Sequence, residues 1–347
     1  MTNAPLTNPT SIWKDYRPTR LIELPDLARL TGVGRVFVKV EGERPLGNFK
    51  VLGGMVAGLG ALARAAGAAS LDDLASDCIR RKSLPRLICA SDGNHGLAVA
   101  AAARQAGARA SIYLPVGVSR ARAERIEALG GEIVWIDGTY DDAVRDAAAA
   151  TARGEGLLIP DTSGDPDDAV VADVMAGYAV LTRELVAQFH DEVRDRPGHV
   201  FVQAGVGGLA AALADGLRGL LQEPRRILVV EPESAACVAL ALATGRPVHI
   251  QGDQRTCAEM LACGLASAPA LEILQRHDVR SVVVAEAQLQ AAVAVLREAG
   301  GPATTPSGAA GVAGLLHVAS QPDLRAAHRL GTDSTVLLVA TEGAVAE

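Results

Sequence analysis

Ser91-Asp92-Gly93-Asn94-His95-Gly96 is the stretch from which the fold of this chain can be worked out. It follows the apolar run 87–90 directly and leads into an Ala- and Leu-rich run that is typical of a helix. A polar turn between a strand and a helix presents N–H groups at a helix N-terminus, where anions bind well. We therefore interpret it as a site for a carboxylate or a phosphate. The alternative is a capped turn in which Asp92 and Asn94 satisfy only the backbone.

Apolar runs typical of strands alternate with Ala- and Leu-rich runs along the whole chain. We predict strands at residues 36–40, 86–90, 110–114, 132–136, 199–203, 226–231, 281–284 and 335–340. The marked helices between them lie at 97–106, 120–129 and 169–189. Continuous apolar strands separated by helices indicate open, mostly parallel sheets covered by helices on both faces. The predicted fold class is α/β, with a smaller lobe around residues 84–137 and a larger lobe after residue 166.

Composition and charge exclude several classes of protein. The 347 residues are 49% hydrophobic and carry a formal net charge of -7, so we expect a large core and no nucleic-acid partner. The start of the chain lacks the apolar segment of a signal peptide, and the helical runs are too short to span a bilayer, so no membrane association is expected. The 5 cysteines and 7 histidines show no metal-ligand spacing, so we expect no metal and a reducing, cytoplasmic location.

A single lysine follows the first predicted strand in an apolar, glycine-containing stretch. Lys50 lies in Gly47-Asn48-Phe49-Lys50-Val51-Leu52-Gly53-Gly54. Desolvation lowers the pKa of an amine, and this is how a lysine becomes a nucleophile or a Schiff-base partner. The alternative is a surface lysine at the start of a helix.

A second anion-binding loop is predicted further along the chain. Gly205-Val206-Gly207-Gly208-Leu209 follows the strand at 199–203 and begins an Ala- and Leu-rich helix, so its N–H groups suit a phosphate. The same segment fits a dinucleotide-binding pattern, Gly205-x-Gly207-x-x-Ala210, with Glu231 placed where an acid would bind a ribose. On this segment alone, an NAD-dependent Rossmann dehydrogenase is an equal alternative.

The lysine stretch and the polar turn together resemble a known family. Phe49-Lys50 and Ser91–Gly96 are similar to the corresponding segments of fold-type-II pyridoxal-phosphate enzymes, the group of threonine dehydratases and cysteine synthases. Asp92 makes the turn resemble diaminopropionate ammonia-lyases in particular, because most dehydratases have a second serine there. The resemblance extends over roughly residues 19–343. It includes the order of the segments along the chain, in which the phosphate loop follows the lysine and the polar turn. A dehydrogenase would leave Lys50 and the turn unexplained.

The resemblance implies pyridoxal 5'-phosphate as the cofactor and assigns its contacts. Lys50, preceded by Phe49 in the cofactor site, forms the Schiff base with it. The loop at 205–209 binds the phosphate and Asn94 contacts the 3-hydroxyl of the ring. Thr341 contacts the pyridine nitrogen through a neutral hydroxyl, although a plain strand-ending turn is the alternative for this residue.

The resemblance also assigns the substrate-binding and catalytic groups. The substrate carboxylate is held by the turn, at Ser91, Asp92, Gly93 and His95. Asp92 is the acid/base group, and Asp161 matches a second active-site acid of the ammonia-lyases. A helix N-cap is the alternative for Asp161. After it, Gly164-Asp165-Pro166 replaces the aromatic-Glu-Gly-Tyr run of that family, and this departure leaves the exact substrate open.

The function implied by the resemblance is the β-elimination of an amine from a small amino acid such as 2,3-diaminopropionate, giving a 2-oxo acid and ammonia. A serine- or threonine-type dehydratase and a β-replacement enzyme are alternatives within the family, and a ligand-binding relative without activity is another. We place residues 1–52 and 166–347 in a large cofactor-binding domain and residues 53–165 in a small, mobile domain. The resemblance also implies a homodimer.

Overall fold

Two sheets with helices packed on them make up the part of the chain that the structure describes. The structure is a computed structural model and describes residues 12–13, 15–74, 84–91 and 93–344. Its strands are Leu21–Glu23 (β1), Arg35–Val40 (β2), Leu87–Ala90 (β3), Ala110–Pro115 (β4), Gly131–Ile136 (β5), Leu157–Leu158 (β6), His199–Gln203 (β7), Arg226–Pro232 (β8), Arg280–Val284 (β9) and Thr335–Ala340 (β10). Its α-helices are Pro25–Thr31 (α1), Lys50–Ala66 (α2), Leu71–Leu74 (α3), Asn94–Ala106 (α4), Arg120–Glu127 (α5), Tyr140–Ala152 (α6), Ala169–Gln188 (α7), Gly208–Gly216 (α8), Cys237–Thr244 (α9), Ala268–Arg276 (α10), Glu286–Glu298 (α11), Pro306–Ser320 (α12) and Pro322–His328 (α13).

The sheet topology confirms the predicted α/β fold class with two mostly parallel sheets. One sheet has six strands in the order β1-β2-β10-β7-β8-β9, and the other has four in the order β5-β4-β3-β6. β1 pairs antiparallel with β2, and the other pairings within these sheets are parallel. All eight predicted strands are present. The sequence analysis missed β1 and β6, which have 3 and 2 residues and are too short to show a period.

The two sheets draw on different parts of the chain. The four-stranded sheet is built from strands between residues 87 and 158, and the six-stranded sheet from strands before and after that segment. The predicted domain boundaries, at 52/53 and 165/166, and the mobility of the smaller domain stay predictions. No helix in the described part of the chain is both long and apolar enough to cross a membrane.

Helix α2 packs between α4 and α7, and glycines occupy the points of closest approach. A Cβ added to Gly54 would lie 2.5 Å from the Cβ of Ala98 on α4. A Cβ added to Gly177 on α7 would lie 2.4 Å from the carbonyl oxygen of Leu52. Larger side chains would push these helices apart, since interiors are close-packed. Because α2 begins at Lys50, this packing fixes the point from which the lysine side chain extends.

A buried cluster of four charged side chains underlies the segment that leads to Lys50. Lys39, Glu41, Arg44 and Glu184 are each at most 5% exposed. Lys39 Nζ lies 2.7 Å from Glu184 Oε2, and Arg44 binds Glu41 and Glu184 through its guanidinium group. Two cations face two anions, so the cluster is neutral as a whole. Burial acts to lower the pKa of Lys39, although both carboxylates oppose that change.

We expect Glu184→Ala to destabilise the protein by about 3–5 kcal/mol, because it leaves Lys39 and Arg44 buried with too little negative charge. Urea unfolding measures the loss. Asp26→Ala is the matched control, since the pair of Asp26 with Arg29 is exposed and is expected to contribute less than about 1 kcal/mol. Equal, small losses in both variants would mean that the cluster contributes no more than a surface ion pair.

Candidate active site

One cleft of about 830 Å³ brings together most of the residues that the sequence analysis selected. Those that line it are Phe49, Lys50, Ser91, Asn94, His95, Asp161, Gly205, Val206, Gly207, Gly208, Leu209 and Thr341. They follow the ends of β3, β6, β7 and β10 or begin α2, and the carboxyl ends of parallel strands are where open α/β sheets bind ligands. Gly93 lies next to this lining. Asp92 lies outside the described residues.

An ion pair between Lys50 and Asp161 lies inside the cleft. Lys50 Nζ is 2.5 Å from Asp161 Oδ2, and the Tyr140 hydroxyl donates to Asp161 Oδ1 at 2.9 Å. The side chains of Lys50 and Asp161 are 20% and 10% exposed. Asp161 is therefore bound to the lysine, and the side-chain contact of a helix N-cap is made instead by Asp168 at the start of α7.

The ionisation of Lys50 differs from the expectation based on burial alone. Burial acts to lower the pKa of Lys50, but the charge of Asp161 and the hydrogen bond to it raise that pKa well above its usual value. Burial acts to raise the pKa of Asp161, but Lys50 lowers it well below the usual range of an aspartate. With Asp161 as its partner, Lys50 is an ammonium ion. The apolar neighbours of Lys50 in the sequence predicted a lowered pKa, but the carboxylate that raises it lies 111 residues away.

The turn after β3 is held together by Ser91, which accepts hydrogen bonds from the N–H groups of Gly93 at 2.9 Å and Gly96 at 2.8 Å. The sequence predicted that these two N–H groups are free to bind an anion, and this prediction is wrong because Ser91 binds both. Ser91 keeps its own hydroxyl proton to donate. His95 Nε2 lies 2.8 Å from the carbonyl oxygen of Ile159, and burial lowers the pKa of His95. The neutral ring donates to that carbonyl, so His95 holds the turn against the segment that carries Asp161.

The glycine loop after β7 leaves its amides free. Within the described part of the chain, no acceptor binds the N–H groups of residues 205–209. These N–H groups lie at the N-terminus of α8, where the helix dipole favours an anion. Gly207 has φ +98°, and a Cβ there would meet Leu274, Val238 and Ala270, none of which lines the cleft. Gly207 is therefore required by its backbone conformation and not by the approach of a ligand.

The comparison with protein families identifies the cofactor of this chain. Residues 12–342 match the family model described as pyridoxal-phosphate dependent enzyme. The chain belongs to this family. The predicted cofactor, pyridoxal phosphate, and the predicted fold type are thereby confirmed.

Individual relatives agree with the family match. The diaminopropionate ammonia-lyase of Escherichia coli strain K12 is 33% identical over 346 residues, which cover 94% of this chain and 85% of the relative. The crystal structure of the Escherichia coli enzyme in complex with an aminoacrylate-PLP azomethine reaction intermediate has a TM-score of 0.84 at 30% identity, covering 98% of this chain and 88% of that one. The complex of the Escherichia coli enzyme with D-serine has a TM-score of 0.86 at the same identity and coverage.

The residues of the cleft fit pyridoxal phosphate. The free amides of the glycine loop suit its phosphate, and Lys50 suits its aldehyde, since of the two lysines in the described part of the chain, Lys39 and Lys50, it is the one that lines the cleft. Thr341 Oγ1 accepts a hydrogen bond from Gln203 Nε2 at 3.0 Å, so its own hydroxyl proton stays available for a ring nitrogen.

The cleft of this pyridoxal-phosphate-dependent enzyme is also lined by residues that were not selected from the sequence, among them Tyr140, Tyr178, Gln203 and Glu342. The ring of Tyr178 packs on Phe49 with centroids 5.0 Å apart. Glu342 follows Thr341 directly, so the end of β10 was a signal that could have pointed to it.

The contacts of Glu231 argue against the dinucleotide-binding alternative, in addition to the family match. The carboxylate of this buried residue accepts hydrogen bonds from the N–H groups of Val238 at 2.7 Å and Ala239 at 2.8 Å. Its oxygens therefore hold the start of α9. Burial raises the pKa of Glu231 to about 8. A carboxyl group that is protonated near neutral pH is a weaker hydrogen-bond acceptor for a ribose hydroxyl than an ionised carboxylate.

We expect Gly208→Val to weaken the binding of pyridoxal phosphate by about 10-fold or more, the scale of one charge-assisted hydrogen bond. A Cβ at Gly208 would lie 3.7 Å from Tyr178 and 3.8 Å from Met175, so the fold tolerates it, but both neighbours line the cleft. Titration of the cofactor-free protein measures the affinity. Gly219→Val is the control, because a Cβ at Gly219 has no atom within 4 Å. An unchanged affinity in Gly208→Val would show that the phosphate binds elsewhere.

Proposed function

We propose that this enzyme is a lyase that eliminates the β-amino group of a small amino acid such as 2,3-diaminopropionate, releasing a 2-oxo acid and ammonia. The observation that carries the proposal is the carboxylate of Asp161 at 2.5 Å from Lys50 Nζ inside the cleft. The names of the similar proteins agree with it.

The ion pair favours a substrate with a second amino group. Bound pyridoxal phosphate supplies the electron sink that makes the Cα proton of an amino acid acidic. Lys50 must lose its own proton before it can accept that Cα proton, and Asp161 is then a buried carboxylate without a cation. The distal ammonium group of 2,3-diaminopropionate replaces the missing charge, whereas the hydroxyl group of serine does not.

The remaining residues have binding roles in this proposal. The amides of residues 205–209 bind the phosphate, Asn94 binds the ring hydroxyl and the Thr341 hydroxyl donates to the ring nitrogen. Phe49 packs against the end of the cleft beside Lys50. The turn binds the substrate carboxylate through the hydroxyl of Ser91 and the backbone N–H groups of Asn94 and His95, with Gly93 shaping it.

Asp92 belongs to the proposal on the strength of the sequence alone. In the Ser91–Gly96 turn it is placed next to the proposed carboxylate site, where a second negative charge repels the substrate. An acid/base role on the Cα proton or on the departing amine would explain why a carboxylate occupies this position.

A dehydratase acting on serine is the second candidate, and the complex of the similar Escherichia coli enzyme with D-serine favours it. β-Replacement is a third outcome of the same elimination chemistry. We also propose that the enzyme is cytoplasmic, because its cysteines indicate a reducing location, and that it acts as a homodimer, on the basis of the resemblance described above.

Ammonia and 2-oxo acid should appear in a ratio of two to one from 2,3-diaminopropionate and of one to one from serine, because only the former has a second nitrogen. We expect kcat/KM to be about 10–100-fold higher for 2,3-diaminopropionate, the scale of a hydrogen bond to a charged group. A coupled assay on the D- and L-isomers of both amino acids measures ammonia and 2-oxo acid in parallel.

The variant Asp161→Asn is the internal check on this assay. It keeps the shape of the side chain but removes the charge, so it should lose about 10–100-fold with 2,3-diaminopropionate and much less with serine. A wild-type enzyme that favours serine, or an Asp161→Asn variant that keeps the preference for the diamine, would contradict the proposed substrate.

A further inference from the structure

A second carboxylate in the cleft, that of Glu342, has no part in the proposed reaction. Glu342 is 3% exposed and lines the same cleft as Lys50. Its Oε2 accepts a hydrogen bond from Asn94 Nδ2, and its Oε1 accepts one from Thr305 Oγ1 at 2.5 Å. The nearest cation in the described structure is Arg122, whose Nη1 lies 4.0 Å from Glu342 Oε2.

Burying this carboxylate is costly. A buried carboxylate loses its hydration, and a single guanidinium group at 4.0 Å makes no direct hydrogen bond to it. A neutral side chain of the same shape would fill this space without that cost.

The negative charge of Glu342 fixes the orientation of the Asn94 side-chain amide. An ionised carboxylate only accepts hydrogen bonds, so Glu342 binds the NH2 group of Asn94 and excludes the flipped amide. The carbonyl oxygen of Asn94 and its second N–H group have no partner in the described part of the chain, and Asn94 lines the cleft. A glutamine at position 342 would allow either orientation, because an amide both donates and accepts.

Glu342 also joins the elements that surround the cofactor site. Asn94 and Arg122 belong to the part of the chain that builds the four-stranded sheet, whereas Glu342 follows β10 of the six-stranded sheet. The backbone of Glu342 pairs with that of Asn48, and Asn48 Oδ1 accepts a hydrogen bond from the N–H group of Lys50 at 3.0 Å. One residue thus contacts both the asparagine turn and the segment that positions the lysine.

We propose that Glu342 is a positioning residue for the cofactor ring: it holds the Asn94 amide in one orientation, so that Asn94 presents a fixed donor and acceptor to the ring hydroxyl. This inference rests on the proposed role of Asn94. Glu342 itself needs no contact with the substrate.

The test is a double-mutant cycle on binding, with no turnover involved. The probe is pyridoxamine 5'-phosphate, which has the ring hydroxyl and phosphate of the cofactor but no aldehyde to react with Lys50. Its dissociation constant is measured for the cofactor-free wild type, Glu342→Gln, Asn94→Ala and the double variant. We expect each single change to weaken binding by about 10-fold and the double variant to bind no more weakly than Asn94→Ala.

The outcomes separate the inference from the proposed function. Losses that add in the double variant, or tighter binding by Glu342→Gln, would overturn the positioning role and leave that of Asn94 intact. Unchanged binding by Asn94→Ala would overturn both. Thr304→Val is the control for stability, because it removes the hydrogen bond of Thr304 to the carbonyl oxygen of Glu342, at 2.5 Å, and leaves the carboxylate in place. If Glu342→Gln fails to fold, Glu342→Asp draws the carboxylate away from Asn94 and should show the same coupling.

Discussion

The ion pair between Lys50 and Asp161 is the interaction on which the rest of the site depends. It joins the first residue of α2, which follows the six-stranded sheet's β2, to the segment that follows β6 of the four-stranded sheet, and both residues line the cleft. The carboxylate of Asp161 gives the ammonium group of Lys50 a charged partner, and the close packing of α2 against α4 and α7 fixes the point from which the lysine side chain extends.

The other features of the site follow from where that pair lies. The loop after β7 and the end of β10 reach the same cleft because parallel strands of one sheet end on the same side, and the turn after β3 reaches it from the four-stranded sheet. Each contributes a different chemistry: side-chain donors, free amides and hydroxyl or carboxylate groups. The carboxylate of Asp161 beside the lysine distinguishes this cleft, and its charge suits a substrate that carries more than one amino group.

The sequence was sufficient for the fold class, for eight strands and for the loops of the site, because long apolar runs and glycine turns are local signals. It was not sufficient for β1 and β6, which are too short, or for contacts between distant segments. The pKa of Lys50 is set by a carboxylate 111 residues away, and no local pattern contains that information. Ser91 was expected to leave two amides free and instead binds them. Glu342 was missed because its role depends on Asn94, 248 positions away.

The central claim is that Lys50 binds pyridoxal phosphate covalently, and mass spectrometry tests it most directly. The loaded protein is reduced with borohydride and digested, and each lysine is examined for a phosphopyridoxyl group. The sequence has four lysines, Lys14, Lys39, Lys50 and Lys82, and Lys39 is fully buried in an ion pair. The account predicts the label on Lys50 alone and no label in a folded Lys50→Arg variant, which keeps a positive charge beside Asp161. A label on another lysine, or a labelled Lys50→Arg protein, would contradict it.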